Sequence, residues 1–335
     1  MRAVVNRAYD PPAVPAPSDD AAAFHRTLPG YSPTPVHQLD AIASELGLAA
    51  VQVKDESARF GLPAFKILGA SWAVERALRV QPGVHTLVAA SAGNHGRAVA
   101  RVAASRGLAC LVFLPERSLA VRREAIAAEG AEVVVVDSGY EDAVAAARAA
   151  SEDGTALIAD VGEAGPAEWV IDGYATLFSE AARQARYDLI VVPVGVGSLA
   201  AAAARHGAEV GVPVVGVEPA TAACLSASLA QGVPTPVPTP GTTMAGLDCA
   251  EVSPAAWSSL HHGIAGTVAV SDTEAEAAMI ELAANGLTIG ESGAAPLAGL
   301  RALQSDERCR ELREQLRIRT DTRVLLIASE GRTGG

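Results

Sequence analysis

The chain contains two lysines, and one of them has the neighbours that amine chemistry requires. Lys54 and Lys66 are the only lysines among the 26 basic residues. Lys66 lies among apolar residues at the predicted start of a helix, where burial and the positive end of the helix both favour the neutral amine. A neutral amine can form a Schiff base with a carbonyl group. The same pattern also fits a lysine that reaches solvent from a buried helix.

Lys54 has a different setting. It ends a short predicted strand, beside Asp55 and Glu56. Because nearby carboxylates stabilise the ammonium form, we expect these two acids to keep Lys54 protonated in a salt bridge. Lys66 is therefore the stronger candidate for Schiff-base chemistry.

Three further segments follow predicted strands, at the edge of the sheet where α/β folds bind ligands. Residues 91–96 (SAGNHG) open a predicted helix, and their free backbone N–H groups could bind a carboxylate. Residues 193–199 (PVGVGSL) also open a predicted helix, and their glycines allow a phosphate to approach the backbone closely. Ser329 follows the last predicted strand and could hydrogen-bond a ring nitrogen. Each segment also fits a simpler interpretation, as a glycine turn with a helix cap or as a capped chain end.

The 193–199 segment also supports a second kind of ligand. Gly195, Gly197 and Ala200 match the G-x-G-x-x-A pattern of dinucleotide-binding sites. Glu218 ends the next predicted strand, where an acid would bind a ribose hydroxyl. An NAD(P)-binding oxidoreductase is therefore an alternative, but it leaves Lys66 and the 91–96 loop unexplained.

The composition excludes several classes of partner. A formal net charge of −12 argues against nucleic acid and against an anionic membrane surface. The spacing of Cys110, Cys224, Cys249 and Cys309 supports neither a metal site nor a disulfide framework. No stretch reaches eighteen apolar residues, and the N-terminus lacks the apolar core of a signal peptide. We therefore expect a metal-free, cytoplasmic globular protein.

The elements that must position these residues follow a regular alternation. Short β-branched runs alternate with alanine-rich stretches of helical length over residues 51–159 and 174–218, and a last strand covers 323–328. This alternation predicts an α/β fold with parallel sheets covered by helices on both faces. The first thirty-five residues show no sustained period and are expected to form a surface arm rather than a core element. The proline-rich segment 232–240 predicts an extended surface connection.

Ten short segments, in order along the chain, carry a resemblance to a known family. Together they resemble the pyridoxal-phosphate enzymes of the tryptophan-synthase β fold, also called fold type II, and among them the diaminopropionate ammonia-lyases. The matches run from about residue 24 to the C-terminus. The segments are GYSPTP (30–35), KDES (54–57), RFG (59–61), AFKILG (64–69), GNHGR (93–97), GYATL (173–177), VEP (217–219), MAGL (244–247), GESGA (290–294) and SEG (329–331).

The resemblance implies the fold, the cofactor and the residues that hold it. It implies two open, twisted, mostly parallel sheets with helices on both faces, and pyridoxal 5'-phosphate as the cofactor. Lys66 would form the Schiff base with the cofactor, and Phe65 would lie against its ring. The remaining implied contacts are Asn94 to the phenolic oxygen, the backbone of Gly195, Val196, Gly197 and Ser198 to the phosphate, and Ser329 to the pyridine nitrogen.

The resemblance also implies a reaction. It is the α,β-elimination of a small L-amino acid such as 2,3-diaminopropionate to a 2-keto acid such as pyruvate plus ammonia, with Lys66 removing the Cα proton. Asp160, after a strand predicted over residues 156–159, corresponds to a family aspartate near the substrate's amino group, although an aspartate in a turn fits equally well. The substrate carboxylate would lie in the loop formed by Ser91, Ala92, Gly93 and His95.

Two features depart from the family pattern. The residue before Gly-Asn-His-Gly is typically an aspartate, which serves as the base for the D-isomer, and here it is Ala92. Because a methyl group cannot take a proton, we expect turnover of the D-isomer to be lost and that of the L-isomer to survive. Members of the family also usually have further residues after the segment that contains Ser329. Which residues cover the site and which form the dimer contact therefore stay open questions.

Several assignments therefore stay as alternatives. The Ser-Ala-Gly-Asn-His loop is the form seen in serine and threonine dehydratases, and a β-replacement enzyme that makes a non-standard amino acid or a silent paralogue would also fit. We expect a small domain at 84–165 inserted into a large cofactor-binding domain formed by 1–83 and 166–335. A homodimer that acts on a small amino acid, without a nucleic acid or membrane partner, is the expected assembly.

Overall fold

Two open sheets flanked by helices make up the computed structural model, which describes residues 2–137 and 139–332. This confirms the α/β fold. The strands and helices, in chain order, are β1 (Ala3–Val5), α1 (Asp20–His25), β2 (Val36–Gln38), α2 (Asp40–Leu46), β3 (Ala50–Asp55), α3 (Lys66–Val80), β4 (Thr86–Ala90), α4 (Asn94–Arg106), β5 (Ala109–Pro115), α5 (Ala120–Ala127), β6 (Glu132–Val136), α6 (Tyr140–Ala149), β7 (Thr155–Leu157), α7 (Pro166–Gln184), β8 (Leu189–Pro193), α8 (Ser198–Val210), β9 (Val214–Pro219), α9 (Cys224–Gln231), α10 (Pro254–Gly263), β10 (Ile264–Val270), α11 (Asp272–Ala284), α12 (Glu291–Ser305), α13 (Arg310–Gln315) and β11 (Arg323–Ala328).

The larger sheet has seven strands in the order β1-β10-β9-β8-β11-β3-β2. The five inner strands run parallel to one another, and the two edge strands β1 and β2 pair antiparallel with their neighbours. Every residue of β8, β9 and β10 is buried. Such uninterrupted apolar strands are typical of parallel sheets that are covered on both faces.

The smaller sheet has four parallel strands in the order β6-β5-β4-β7. The 91–96 loop follows β4, and Asp160 follows its neighbour β7. In the larger sheet, the turn before α8 follows β8, and Ser329 follows β11. All of these predicted site segments therefore follow the carboxyl ends of parallel strands, where α/β folds bind their ligands.

Helices α3 and α7 pack unusually close to each other. A Cβ atom added to Gly173 on α7 would lie 2.6 Å from the carbonyl oxygen of Leu68 and 2.7 Å from the Cα of Gly69, both on α3. The two helix backbones therefore touch at this point, and any larger residue would push them apart. This contact fixes α7 beside the first turn of α3, where Lys66 lies.

The prediction of a surface arm for the first thirty-five residues is wrong. Strand β1 forms an edge of the larger sheet, and α1 contacts both α3 and α7. His25 is fully buried, with its ring nitrogens bonded to Thr176 Oγ1 at 2.7 Å and to the Leu68 carbonyl at 3.0 Å. Elements of three to six residues are too short to show a period in the sequence.

Other element boundaries also differ from the sequence predictions. Helix α7 begins at Pro166, eight residues before its predicted start at 174, because Pro fits the first turn of a helix. Strand β10 was not predicted, since its sequence IAGTVAV is rich in small residues. Residues 232–240 form no helix or strand, as predicted. Among the described residues, no helix combines the length and the apolar character that a membrane span needs.

Candidate active site

The structure brings Lys66 and Asp160 together from positions 94 residues apart. Lys66 is the first residue of α3, and Asp160 lies in the loop between β7 and α7. The Lys66 Nζ donates a hydrogen bond to Asp160 Oδ2 at 3.0 Å. The two side chains keep 22% and 16% of their surface exposed, so the pair faces a cleft rather than a closed core.

Each partner stabilises the charged form of the other. Burial lowers the pKa of Lys66, but Tyr174 and Asp160 raise it by more, and the net pKa lies above its ordinary value. Burial raises the pKa of Asp160, but His95 and Lys66 lower it by more, and the net pKa lies below its ordinary value. Beside the Asp160 carboxylate the ammonium form of Lys66 is favoured, not the neutral amine that the apolar neighbours in the sequence suggested.

Two aromatic rings line the cleft beside Lys66. The Lys66 Nζ lies 5.5 Å from the ring centroid of Phe65 and 5.9 Å from that of Tyr174. The two rings contact each other, with centroids 4.6 Å apart. Phe65 therefore lies beside the Lys66 amine, and its expected contact with the cofactor ring stays a prediction, whereas Tyr174 was not among the predicted site residues. Its segment GYATL was part of the resemblance, which is the signal that could have identified it.

The turn between β8 and α8 is shaped to present backbone N–H groups. Gly197 has a φ of +94°, and a Cβ added there would lie 2.5 Å from Leu260 Cδ1, so only glycine fits. Gly195 is confined by the Gly246 carbonyl oxygen, 2.8 Å from where its Cβ would be. The first N–H groups of a helix have no partner within the helix, so the start of α8 offers donors to an anion.

Ser198 links this turn to the acid of the site. Its hydroxyl is buried and donates a hydrogen bond to the backbone carbonyl oxygen of Asp160 at 3.1 Å. The start of α8 and the Asp160 loop therefore hold a fixed position relative to each other. Val196 contributes through its backbone carbonyl, which accepts a hydrogen bond from the Ser253 N–H at 2.8 Å.

The 91–96 loop contributes a buried histidine and an open backbone. His95 Nε2 bonds the Ile158 carbonyl oxygen at 2.8 Å, and His95 Nδ1 lies 3.9 Å from Asp160 Oδ2. Burial lowers the pKa of His95, so its ring is neutral and orients the Asp160 loop. Gly93 is exposed, and Ser91 and Ala92 are half-buried. The part of the loop that can reach a ligand therefore consists of these three residues and Asn94.

Asn94 has a partner that the sequence did not indicate. Its Nδ2 donates a hydrogen bond to Glu330 Oε2 at 2.7 Å. Burial raises the pKa of Glu330, which lies directly after Ser329. Ser329 is buried, and its carbonyl oxygen accepts a hydrogen bond from the Phe65 N–H at 3.3 Å. The end of β11 is therefore attached both to the residue before Lys66 and to the start of α4.

Lys54 forms a salt bridge as expected, but with a different acid. Its Nζ lies 2.8 Å from Glu180 Oε2 on α7, and both side chains are buried. Glu56 instead accepts hydrogen bonds from Arg59, whose guanidinium also reaches Glu180. The expected pairing of Lys54 with Asp55 and Glu56 is wrong, because the strand end directs Lys54 toward α7. This buried cluster lies away from solvent and is structural.

The dinucleotide alternative fails at its acidic residue. Glu218 is fully buried, and its carboxylate accepts hydrogen bonds from the Leu225 N–H at 2.7 Å and the Ser226 N–H at 2.8 Å. The side chain therefore caps the start of α9 and cannot bind a ribose. Burial raises its pKa to about 7, although the bonds from Ser226 oppose the shift.

Metal ligation finds no support within the described ranges. No group of three or more His, Cys, Asp or Glu side chains there could hold a metal ion. Within the same ranges, the four cysteines are free thiols. The side chains and backbone at the cleft offer an amine, a carboxylate, N–H groups and hydroxyls.

Comparisons with known proteins point to one family. A family model described as pyridoxal-phosphate dependent enzyme matches residues 27–330. The diaminopropionate ammonia-lyase of Salmonella typhimurium is 34% identical over 366 residues, which cover 94% of this chain and 89% of that protein. A biosynthetic L-threonine dehydratase of the same organism is 29% identical over 273 residues, which cover 80% of this chain and 52% of the dehydratase.

A solved structure is similar over nearly the whole chain. It is the diaminopropionate ammonia-lyase of Escherichia coli in complex with an aminoacrylate-PLP azomethine reaction intermediate. The TM-score is 0.88 at 31% identity, with 98% of this chain and 93% of that chain covered. The similarity therefore includes both sheets and every segment that meets at the cleft.

Proposed function

The chain belongs to the diaminopropionate ammonia-lyase family of pyridoxal-phosphate-dependent enzymes, and from this membership we propose that it degrades 2,3-diaminopropionate. The reaction is an α,β-elimination in which the L-amino acid and one water molecule give pyruvate and two molecules of ammonia. The observation that carries the proposal is the pair formed by Lys66 and Asp160 at 3.0 Å, because it places a base and a binding site for an amino group side by side.

The residues of the cleft fit the cofactor of this family. The Lys66 amine is part-exposed in the cleft and is the group for a Schiff base. The start of α8, at Gly195, Val196, Gly197 and Ser198, offers its N–H groups to the phosphate. The hydroxyl of Ser329 is the partner for the pyridine nitrogen, and Asn94 is the partner for the phenolic oxygen. When bound, pyridoxal phosphate supplies the electron sink that makes the Cα proton acidic.

Lys66 and Asp160 have separate roles in the reaction. Lys66, once freed by the substrate's amine, takes the proton from Cα as a neutral amine. During this step Asp160 holds the β-ammonium group of the substrate, in the place that Lys66 takes when its amine is free. A carboxylate with a lowered pKa stays ionised across the neutral range, so it can bind a cation there. This preference for a cationic group favours a diamino acid over a hydroxy acid.

Two residues, His95 and Ser198, keep Asp160 in position. His95 is neutral and holds the carbonyl of Ile158, two residues before Asp160. Ser198 holds the carbonyl of Asp160 itself. Because both bonds are buried, the carboxylate is preorganised rather than ordered by the substrate. The exposed backbone at Ser91, Ala92 and Gly93 is the site for the substrate carboxylate.

Ala92 restricts the enzyme to one isomer. The Cα proton of the D-isomer points to the face of the substrate opposite that of the L-isomer, and a methyl group at position 92 offers no base there. Lys66 is the remaining base of the cleft, so the enzyme acts on the L-isomer.

A second candidate is a serine or threonine dehydratase. The loop sequence Ser-Ala-Gly-Asn-His favours it, and so does the similarity to a threonine dehydratase over 80% of this chain. A β-replacement enzyme would share the first half of the reaction and would need an added nucleophile. The ionised carboxylate of Asp160, part-exposed in the cleft, argues against both, since a hydroxyl leaving group carries no charge to pair with it.

A substrate screen tests these proposals. Cofactor-loaded protein is incubated with L-2,3-diaminopropionate, its D-isomer, L-serine and L-threonine while keto acid and ammonia are followed. We expect pyruvate from the L-diamino acid at a kcat/KM at least tenfold above that for L-serine. A tenfold ratio corresponds to about 1.4 kcal/mol. Faster turnover of L-serine or L-threonine would assign the dehydratase, and no turnover of any of them would assign a silent paralogue.

The same proposal includes the domain organisation. We infer a small domain at 84–165 inserted between the parts 1–83 and 166–335 of the cofactor-binding domain. The supporting feature is that all four strands of the smaller sheet come from residues 86–157. Limited proteolysis of the loaded enzyme should cut first near the two predicted boundaries, and cuts confined to the interior of either part would contradict it.

The assembly and location complete the proposal. We infer a cytoplasmic homodimer, for which the free thiols of Cys110, Cys224 and Cys309, all buried, support a reducing compartment. Light scattering after size-exclusion chromatography should give about twice the 34.1 kDa mass of the chain. A mass equal to that of one chain would exclude the dimer.

A further inference from the structure

Tyr174 has a buried hydroxyl that no protein group satisfies. Its side chain is fully buried on α7, and its hydroxyl has no hydrogen-bond partner among the residues that the structure describes. Buried polar groups are normally paired, because an unpaired one has lost its bonds to water. A phenylalanine would fill the same space without that loss, so packing alone does not account for the hydroxyl.

Close packing fixes the position of the Tyr174 ring. A Cβ added to Gly69 on α3 would lie 2.6 Å from Cε1 and 2.8 Å from Cζ of Tyr174. The hydroxyl-bearing edge of the ring therefore lies against the backbone of α3, less than one turn from Lys66. Because Gly173 touches the same stretch of α3, the ring cannot move away without separating the two helices.

The hydroxyl belongs to a ring that faces the Lys66 amine. The Nζ atom lies 5.9 Å from the ring centroid. Burial raises the pKa of Tyr174 to about 12, and the nearby Lys66 lowers it. The phenol is therefore protonated at neutral pH, and it can donate a hydrogen bond to a neutral amine or accept one from an ammonium ion.

Other titratable groups around Lys66 are less suited to hold its amine. They are Asp160, His95, Cys249 and Glu330, and the Glu330 carboxylate already accepts a hydrogen bond from Asn94 Nδ2 at 2.7 Å. His95 has its Nε2 committed to Ile158. Burial raises the pKa of the Cys249 thiol to about 12, so it stays protonated and is a weak hydrogen-bonding group. Asp160 and Tyr174 are therefore the two strong partners in reach.

We propose that Tyr174 is a positioning residue that holds the free amine of Lys66 while Asp160 is occupied by the cationic group of the substrate. A free Lys66 amine donates a hydrogen bond to Asp160 Oδ2, at 3.0 Å. In the loaded enzyme the substrate frees the Lys66 amine while its own cation occupies Asp160, so the amine would bond the Tyr174 hydroxyl, the position from which it removes the proton. The inference rests on the proposed function, because it needs Asp160 to bind the substrate's amino group.

The presence of two lysines makes the interaction directly measurable. Cofactor-free, full-length protein labelled with ε-¹³C-lysine gives two lysine signals, and Lys66→Ala identifies which is Lys66. The pKa of Lys66 is then titrated in Asp160→Asn and in the double variant Asp160→Asn/Tyr174→Phe. The first variant frees the amine from the carboxylate, and the second also removes the hydroxyl.

We expect the double variant to have a Lys66 pKa at least about one unit below that of Asp160→Asn, the lower end of what one hydrogen bond to a charged group corresponds to. The shift is downward because the hydroxyl bonds the ammonium form more strongly than the neutral form. Equal pKa values in two variants that both show folded circular dichroism spectra would overturn the proposal.

Tyr187→Phe in the same Asp160→Asn background is the matched control. The Tyr187 hydroxyl is also buried, but it bonds His206 Nε2 at 2.8 Å and is not part of the cleft. The control should leave the Lys66 signal unchanged. A shift equal to that of Tyr174→Phe would show a general effect of losing a buried hydroxyl and would also overturn the proposal.

A second measurement uses the loaded enzyme. With α-deuterated L-2,3-diaminopropionate, Tyr174→Phe should lower kcat about tenfold, leave KM within about twofold and raise the isotope effect on kcat, because proton removal becomes slower. An unchanged kcat and isotope effect would contradict the role. If the wild-type enzyme does not turn over this substrate, the proposed function fails, and the lysine titration still decides whether Tyr174 holds Lys66.

Discussion

Asn94 donates a hydrogen bond to Glu330 across the boundary between the two sheets, with 2.7 Å between Asn94 Nδ2 and Glu330 Oε2. Asn94 begins the helix that follows β4 of the smaller sheet, and Glu330 follows β11 of the larger one. The bond fixes which way the amide faces, so its second N–H can point to a ligand. Glu330 thereby acts on the cleft without being one of the residues predicted from the sequence.

Replacing Glu330 by Ala should weaken cofactor binding through Asn94. Loss of one buried hydrogen bond corresponds to about 0.5–1.5 kcal/mol, so we expect the Kd for pyridoxal phosphate to rise about 2- to 12-fold. Asn94→Ala should have a similar effect, and the double variant should add little to either one. Spectrophotometric titration measures the three values, and fully additive changes would show that Glu330 acts independently of Asn94.

Gly197→Ala should damage both stability and cofactor binding. The substitution forces a residue with a side chain to adopt a φ of +94° and to overlap Leu260 Cδ1. Positive φ costs about 1–3 kcal/mol for such a residue, and the overlap adds to it. We expect a lower midpoint in urea unfolding and a weaker Kd for pyridoxal phosphate, because the turn before α8 must shift.

Gly211→Ala is the control for that substitution. Gly211 ends α8 with a φ of +73°, but a Cβ there would meet nothing within 4 Å. It should lose only the stability associated with positive φ and keep the cofactor affinity of the wild type. Equal losses of stability and affinity in the two variants would refute the role given to the turn at Gly197.

Ala92→Asp should give the enzyme activity on the D-isomer. An aspartate at this position places a base in the 91–96 loop, where the wild-type methyl group cannot take a proton. We expect the wild type to act on L-2,3-diaminopropionate alone and the variant to release pyruvate from both isomers. Ala92→Asn, which has the same size but no base, should stay inactive on the D-isomer. Turnover of the D-isomer by the wild type would show that Ala92 does not set the stereospecificity.

Glu180→Gln should destabilise the fold strongly. The Glu180 carboxylate binds Lys54 Nζ at 2.8 Å and Arg59 Nη2 at 2.8 Å, and all three side chains are buried. Removing one member of a buried charge cluster costs about 3–5 kcal/mol, because the remaining charges lose their partner. Urea unfolding measures the loss. Arg310→Ala, which breaks an exposed ion pair with Glu307, should cost no more than about 1 kcal/mol.

The stability that is lost in Glu180→Gln should depend on pH. Burial raises the pKa of Glu180, but the bonds from Arg59 and Lys54 lower it by more, so the net pKa lies below its ordinary value of 4.5. The folded state therefore binds fewer protons than the unfolded state, and the stabilisation is fully present above pH 4.5. It is lost as the pH falls through the lowered pKa. The difference between wild type and Glu180→Gln should shrink below pH 4.5, and a constant difference would contradict this account.

The sequence predicted the parts of the fold that local patterns encode. The β-branched runs gave β3, β4, β5, β6, β8, β9 and β11, and the strand-to-helix turns gave the 91–96 loop and the turn at Gly197. These features depend on neighbours in the chain, so periodicity and turn chemistry reveal them. The sheet edges β1 and β2, with three residues each, carry too little pattern to be recognised.

Local sequence patterns could not predict contacts between residues that lie far apart in the chain. The partner of Lys54 is Glu180, 126 positions away, whereas the prediction used the acids adjacent in sequence. Tyr174 enters the cleft through the contact of Gly173 with α3, which no single segment shows. The meeting of Lys66 and Asp160 was expected from the resemblance rather than from periodicity, because nothing local joins residues 94 positions apart.

The central claim is that Lys66 carries the cofactor, and reduction of the loaded enzyme with borohydride tests it most directly. Borohydride converts a Schiff base into a stable amine, so digestion and mass spectrometry locate the attached lysine. Since the chain has two lysines, the outcome is a choice between two peptides. We predict the adduct on Lys66, with none in Lys66→Ala. An adduct on Lys54, or loaded protein without any reducible lysine adduct, would contradict the account.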